Sequence, residues 1–220
     1  MATSTVENYL KAILYLEEEV ESSLSVGAIA EALAVTPGTV STMMRHLADE
    51  GLVEYVPRSS LGLLPKGRRQ ALQVVRRHRL IETFLVEIMN LDWSEVHEEA
   101  EVLEHVVSDR LLRRIDEMLG HPSRDPHGDP IPDENGEYAA KFEAVPLAGI
   151  QPGRFKLVRV DDTDANLLNW LRDADLRPGG EYTVESRDSV AGVIEISAES
   201  DTVIRLGEQA ASQIMVRSLD

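Results

Sequence analysis

The sequence predicts a mainly α-helical N-terminal part, a winged helix-turn-helix followed by a helical dimerisation domain, and then a small C-terminal β-barrel. Three observations carry that expectation. Apolar residues recur at helical spacing through most of the first 120 residues. Residues 121–146 are punctuated by Pro122, Pro126, Pro130, Pro132 and Pro146, with Gly128 and Gly136. Beyond them the apolar period falls to two.

Residues 5–20 place Val6, Leu10, Ile13, Leu14 and Leu16 on one helical face and end in an acidic run, Glu17, Glu18, Glu19 and Glu21. A second helix starts near Ser25 with Ile29, Ala30 and Leu33. Thr36 is a good N-cap, Pro37 fits the first turn, and the helix from Gly38 to Glu50 stops at Gly51. Leu52–Val56 and Leu61–Leu64 read as two short strands, which completes helix, turn, helix and wing over residues 1–64. A long helix runs from Pro65 to about Met89. Asp92 and Glu95 suggest a capping box for the next, reaching Val107, and Ser108 caps a third that ends at Gly120. Residues 65–120 carry more apolar surface than one small domain needs, including Leu80, Phe84, Ile88, Leu111 and Ile115, which suits a homodimer interface. Residues 121–146 read as an irregular linker. Strands at Phe155–Val160, Tyr182–Ser186, Val193–Ile196, Val203–Leu206 and Ile214–Val216, with a helix at Ala165–Asp173, predict the barrel over residues 147–220.

Composition narrows the function classes. The chain has no cysteine, so disulfides, thiolate zinc sites and cysteine nucleophiles are excluded. No apolar run reaches the ~18 residues of a membrane span, and no secretory signal opens the chain, so a cytoplasmic protein without membrane contact is expected. The net charge of −17 is unevenly spread. Between Thr36 and Leu80 there are eight basic residues against three acids. That local positive face inside an acidic protein is compatible with DNA.

A recognition helix presents short polar side chains near its N-terminus to bases and phosphates. Here Thr36, Gly38, Thr39, Ser41 and Thr42 stand in the first turns, Arg45 one turn on, and Arg58 at the wing tip. A capped, solvated helix face would carry the same small polar residues; the full helix-turn-helix-wing order favours double-stranded DNA as the partner.

The segment from His97 to His105 carries the most chemistry. On a helical wheel with His97 at 0°, Glu101 lies at ~40°, Glu104 at ~−20° and His105 at ~80°. On the preceding helix His78 and Glu82 are spaced i and i+4 and can share one ion. An isolated E-x-x-E-H reads as a solvated acidic helix; three of the six histidines falling in two ligand-spaced clusters favours metal binding. Carboxylate and imidazole without sulfur suit Mn(II) or Fe(II). Neither H-E-x-x-H nor H-x-x-E-H occurs, so a metallohydrolase reading has no support and no enzyme is expected.

With these elements in place the chain resembles the diphtheria toxin repressor family of iron- and manganese-dependent regulators. The segments V-E-N-Y-L-K-A-I (6–13), T-P-G-T-V-S (36–41), R-R-H-R-L-I-E (76–82) and V-H-E-E-A-E-V-L-E-H-V-V-S-D (96–109) carry the likeness. The resemblance implies that the C-terminal barrel is of the FeoA type. It implies a primary metal site of Asn8, Glu101, Glu104 and His105, and an ancillary one of His78, Glu82 and His97, with Asp164 joining from the barrel. Iron-type members have a cysteine where this chain has Glu101, and a glutamate there is typical of the manganese type. Mn(II) is therefore the expected ion, with Fe(II) the alternative. Asn8 stands where the iron type has methionine and the manganese type aspartate. Lys11 stands where some manganese sensors have a second glutamate, which argues against their two-metal cluster. The implied function is a homodimeric repressor of metal-uptake genes that binds its operator when loaded. A winged-helix regulator answering to a non-metal ligand through its barrel is the other reading.

Overall fold

The computed structural model describes residues 3–19, 24–138, 144–198 and 203–220. Residue 20 of the first expected helix, Glu21 of its acidic run, and residues 139–143 of the expected linker lie outside them. The chain divides into two compact units. One comprises Met1–His78, Leu103–Ser108 and Pro132–Glu137; the other comprises Arg79–Val102, Asp109–Ile131 and Tyr138–Asp220.

The first unit opens with α1 (Ser4–Glu19), α2 (Val26–Ala32) and α3 (Pro37–Asp49), followed by the antiparallel hairpin of β1 (Val53–Val56) and β2 (Ser60–Leu63). Leu10, Ile13 and Leu14 of α1, Ile29 of α2 and Val40, Met44 and Leu47 of α3 are fully buried, as their spacing requires. Thr36 caps α3 with its Oγ1 accepting the Thr39 amide at 3.2 Å, and Pro37 occupies the first turn. Gly51, at φ 67°, ends the helix in the left-handed region where a side chain is strained. At the start of α4 (Pro65–Glu87), a Cβ on Gly67 would lie 2.0 Å from the Leu52 carbonyl oxygen, so only glycine lets the helix seat against the wing.

In the second unit α5 (Val96–Leu103) and α6 (Asp109–Met118) follow the remainder of α4. Among the described residues no capping box forms before α5. The Asp92 carboxylate instead accepts from the Ser94 amide at 3.0 Å and hydroxyl at 2.6 Å, and helix begins at Val96. It stops at Leu103, four residues short of the expected Val107. The amides of Val106 and Val107 both donate to the Leu103 carbonyl at 3.0 Å, which tightens the chain into a turn before α6.

The C-terminal strands are β3 (Val145–Pro146), β4 (Gly153–Val160), β5 (Glu181–Asp188), β6 (Val193–Ser197), β7 (Val203–Gly207) and β8 (Ile214–Ser218), with α7 (Ala165–Asp173) and the short α8 (Glu208–Ser212) between them. They form an antiparallel six-stranded sheet in the order β3-β8-β4-β5-β6-β7. The expected small β-barrel is not confirmed: among the described residues the sheet does not close into a barrel. Its edge strands β3 and β7 do not pair with each other among the described residues, while irregularities at Leu157/Arg159 and Val184/Ser186 bend the strands between them. One face buries Phe155, Leu157, Val184, Ile194, Ile196 and Val216 beneath Leu168 and Leu171 of α7. Trp93, from the segment before α5, belongs to the same core.

Candidate metal centre and nucleic-acid interface

The exposed end of α3 carries the expected DNA-reading groups. Thr36, Gly38, Thr39, Thr42 and Arg45 are exposed and Ser41 is half-buried. The Ser41 and Thr42 hydroxyls donate to the carbonyls of Pro37 and Gly38 at 2.9 and 3.0 Å, which leaves their lone pairs outward. Arg58 sits exposed at the wing tip with φ 64°. Between wing and helix runs a groove lined by Ser25, Ser41, Arg45, Tyr55, Arg58 and Ser60. Glu17 of α1 fixes the wing: its Oε1 accepts the Leu63 amide at 2.7 Å and its Oε2 pairs with Arg68.

Two donor clusters are built from carboxylates and imidazoles, one in each unit. In the first unit, α1 supplies Glu7, Asn8 and Lys11, α4 supplies Arg77 and His78, and the turn after α5 supplies Glu104 and His105. Glu104 is fully buried; its Oε1 meets the Lys11 ammonium at 2.7 Å and its Oε2 meets His78 Nδ1 at 2.6 Å. His105 Nδ1 lies 2.7 Å from Glu7 Oε2, which directs Nε2 to within 3.5 Å of Glu104 Oε1. Asn8 Oδ1 and His105 Nε2 are buried without a hydrogen-bond partner. Buried polar atoms are rarely left so, and two unmatched electron-pair donors beside a carboxylate fit a cation. Because α5 ends at Leu103, Glu104 and His105 stand in the turn that follows it.

The second unit holds a cluster of which the sequence disclosed only part. Glu82 on α4 is fully buried, with Oε1 3.4 Å from His97 Nδ1 and Oε2 3.8 Å from His127 Nδ1. His97, on α5, also reaches Asp162 Oδ2 at 3.5 Å and Glu101 Oε1 at 3.8 Å. Asp125 and His127 come from the described part of the Pro/Gly-rich segment. Ligand atoms of Glu82, Asp125 and His127 lie within 4.8 Å of one another. His127 is fully buried and stacked on Trp93; its Nε2 donates to the Trp93 carbonyl at 2.8 Å, so Nδ1 is the atom turned to the carboxylates. Asp125 uses Oδ1 to accept the amides of His127 and Asp129, both at 2.9 Å. Neither Asp125 Oδ2 nor His127 Nδ1 makes a hydrogen bond. Gly128, at φ 93°, lets this loop press on β4, since a Cβ there would lie 2.1 Å from the Val158 carbonyl oxygen.

The electrostatics of this cluster follow from burial and crowding. The hydrogen bond to Asp162, then that to Glu82, raises the His97 pKa to about 10 against the effect of burial. Burial disfavours the charged form of His127, but the neighbouring carboxylates of Glu82, Asp125 and Asp162 outweigh it and push the value up to about 9. Burial, with Asp129 and Glu82 close by, raises Asp125. Asp162 is lowered: His97 and His127 overcome the desolvation that opposes its charge. A divalent ion would take the place of the protons that the two imidazoles hold among these carboxylates.

Asp164, expected to reach the ancillary site, instead caps α7, with Oδ1 accepting the amides of Asn166 and Leu167 at 3.0 and 3.2 Å. The carboxylate that faces His97 is Asp162, two residues earlier. Sequence reasoning missed Asp125, His127 and Asp162. The D-P-H-G-D run among prolines was the available signal, since paired acids around a histidine in a loop are a ligand pattern in their own right.

Helix-turn-helix, wing and imidazole/carboxylate clusters together define a metal-dependent DNA-binding regulator. The comparisons agree. Residues 1–61 match the iron-dependent repressor N-terminal DNA-binding domain, residues 64–133 its metal-binding and dimerisation domain, and residues 145–218 the FeoA domain. The diphtheria toxin repressor of Corynebacterium diphtheriae is 37% identical over 195 residues, covering 84% of this chain and 85% of the relative. The iron-dependent repressor IdeR of Mycobacterium leprae is 33% identical over 228 residues, covering 98% and 97%. A solved manganese-dependent transcriptional repressor in complex with manganese superimposes with a TM-score of 0.90 at 40% identity, covering 97% of this chain and all of that one. ScaR with bound Zn2+ gives 0.79 at 32% identity, covering 97% and 99%. The chain belongs to the diphtheria toxin repressor family of metal-dependent transcription regulators, which are not enzymes. No helix among the described residues is long and apolar enough to cross a membrane.

Proposed function

We propose that this chain is a manganese-responsive repressor that binds its operator as a homodimer when its donor clusters hold Mn(II), and so silences metal-uptake genes. The observation that carries this reading is the group of Glu82, Asp125 and His127. Three buried ligand-bearing residues converge there, and Asp125 Oδ2 and His127 Nδ1 have no hydrogen bond. His97 and Asp162 stand at its edge. Asn8, Glu104 and His105 are the second donor set. Every donor is oxygen or nitrogen, and such a set suits Mn(II), with Fe(II) as its competitor. When bound, the ion would add positive charge to a group in which Asp125 Oδ2 already has Arg79 Nε at 3.6 Å.

The signal passes through α1. Asn8 lies near its start, and Glu17 at its far end holds the wing through Leu63 and Arg68. An ion drawing Asn8 toward Glu104 and His105 biases the position of that helix, and with it the wing. Linkage requires DNA to raise metal affinity by the factor by which metal raises DNA affinity.

Operator binding followed by fluorescence anisotropy across Mn(II), Fe(II), Co(II) and Zn(II) tests the reading. Mn(II) should raise DNA affinity, and His127→Ala should weaken that response. Equal affinity with and without Mn(II) would defeat it.

A further inference from the structure

We infer that Lys11 is a resident cation of the Glu104 donor set, holding α1 to the 103–108 turn before any ion arrives and competing with the ion for that carboxylate. This rests on reading Asn8, Glu104 and His105 as donors.

The geometry is direct. Lys11 is 7% exposed and Glu104 fully buried, and their 2.7 Å contact spans 93 residues of sequence. A buried lysine is rare unless paired, because moving an ammonium out of water is costly. Glu104 has both oxygens engaged, one by Lys11 and the other by His78. Glu7 is matched in the same way, with Arg77 3.1 Å from its Oε1. The two carboxylates, Glu7 and Glu104, are thus balanced by two fixed cations, Lys11 and Arg77.

Two consequences follow. A divalent ion bound through Asn8 Oδ1, His105 Nε2 and Glu104 Oε1 shares that oxygen with an ammonium a few ångströms away, so it binds more weakly than an all-carboxylate set would hold it. A second ion held by His78 and the other Glu104 oxygen would meet the field of the same ammonium and would be disfavoured. Lys11 therefore sets the threshold of the donor set and favours one ion over two, while performing in the metal-free protein part of the tethering that an ion performs in the loaded one.

The test uses the intact protein carrying Asp125→Asn and His127→Ala, so that titration reads the Glu104 set alone. Lys11→Met keeps the volume and removes the charge; Lys11→Arg keeps the charge. Calorimetric Mn(II) titration should show Lys11→Met binding at least about tenfold more tightly, the scale of removing a unit charge close to a divalent ion. Lys11→Arg should stay near the parent. Hydrogen exchange on the metal-free proteins should show the α1 amides exchanging faster in Lys11→Met only. Failure of Lys11→Met to tighten Mn(II) binding, or to loosen α1, overturns the inference. If His105→Ala in the same background leaves Mn(II) uptake undiminished, the donor-set reading fails instead, and exchange alone decides the tether.

Discussion

His127 shows how burial turns one side chain into a sensing element. Its Nε2 is fixed by the Trp93 carbonyl, so a proton or an ion must satisfy Nδ1 among the carboxylates. In the metal-free protein its pKa is raised from 6.5 to about 9. A raised value means stabilisation that is complete below the unfolded pKa and lost as pH climbs through the folded one. The metal-free protein should therefore melt at a lower temperature at pH 9 than at pH 6.5, which calorimetry reads. Mn(II) affinity should move the opposite way across that window, since bound metal displaces the proton. A flat pH profile of affinity would argue against Nδ1 as a donor. Glu101 gives a second test at this scale. Replacing its hard carboxylate by the soft thiolate of Glu101→Cys should shift preference from Mn(II) toward softer ions, measured as the ratio of activating concentrations in operator binding.

Among the elements, α1 and α3 carry the DNA-facing predictions. Glu17 clamps the wing through the Leu63 amide and Arg68, and Gly62 leaves its Oε1 only 3.0 Å from a would-be Cβ. Glu17→Ala frees the hairpin, so operator affinity should drop severalfold while Mn(II) stoichiometry stays at the parent value; anisotropy and titration separate the two. Thr36 is both cap and neighbour of the reading face. Thr36→Ala should cost about 1 kcal/mol of stability through the lost cap, visible in denaturant melts, and weaken DNA binding with it. A variant that keeps full stability would show that the cap is dispensable here.

At the scale of the molecule, the second unit exposes large apolar side chains that a monomer has no use for. Val102 is 66% exposed, Leu111 52%, Met118 50% and Met89 55%. Leu111→Glu on the polar-rich α6 should leave the fold intact, shift sedimentation to the monomer and abolish operator binding, because each half-site then binds alone. A dimer that persists would place the interface elsewhere.

Sequence periodicity alone determined the helix and strand types, the α3 helix and the wing, because local burial repeats at 3.6 or 2 residues. It could not show that α5 ends at Leu103, since two amides compete for one carbonyl only once the turn has formed. Nor could alternation show an open sheet, because it reports which face is buried and not whether the edges meet. Asp125, His127 and Asp162 lie in loops with no period at all. Only tertiary packing, with Gly128 against β4 and Trp93 stacked on His127, brings them to Glu82. A donor cluster depends on distances of a few ångströms between residues remote in sequence, and those distances are set by the core beneath them.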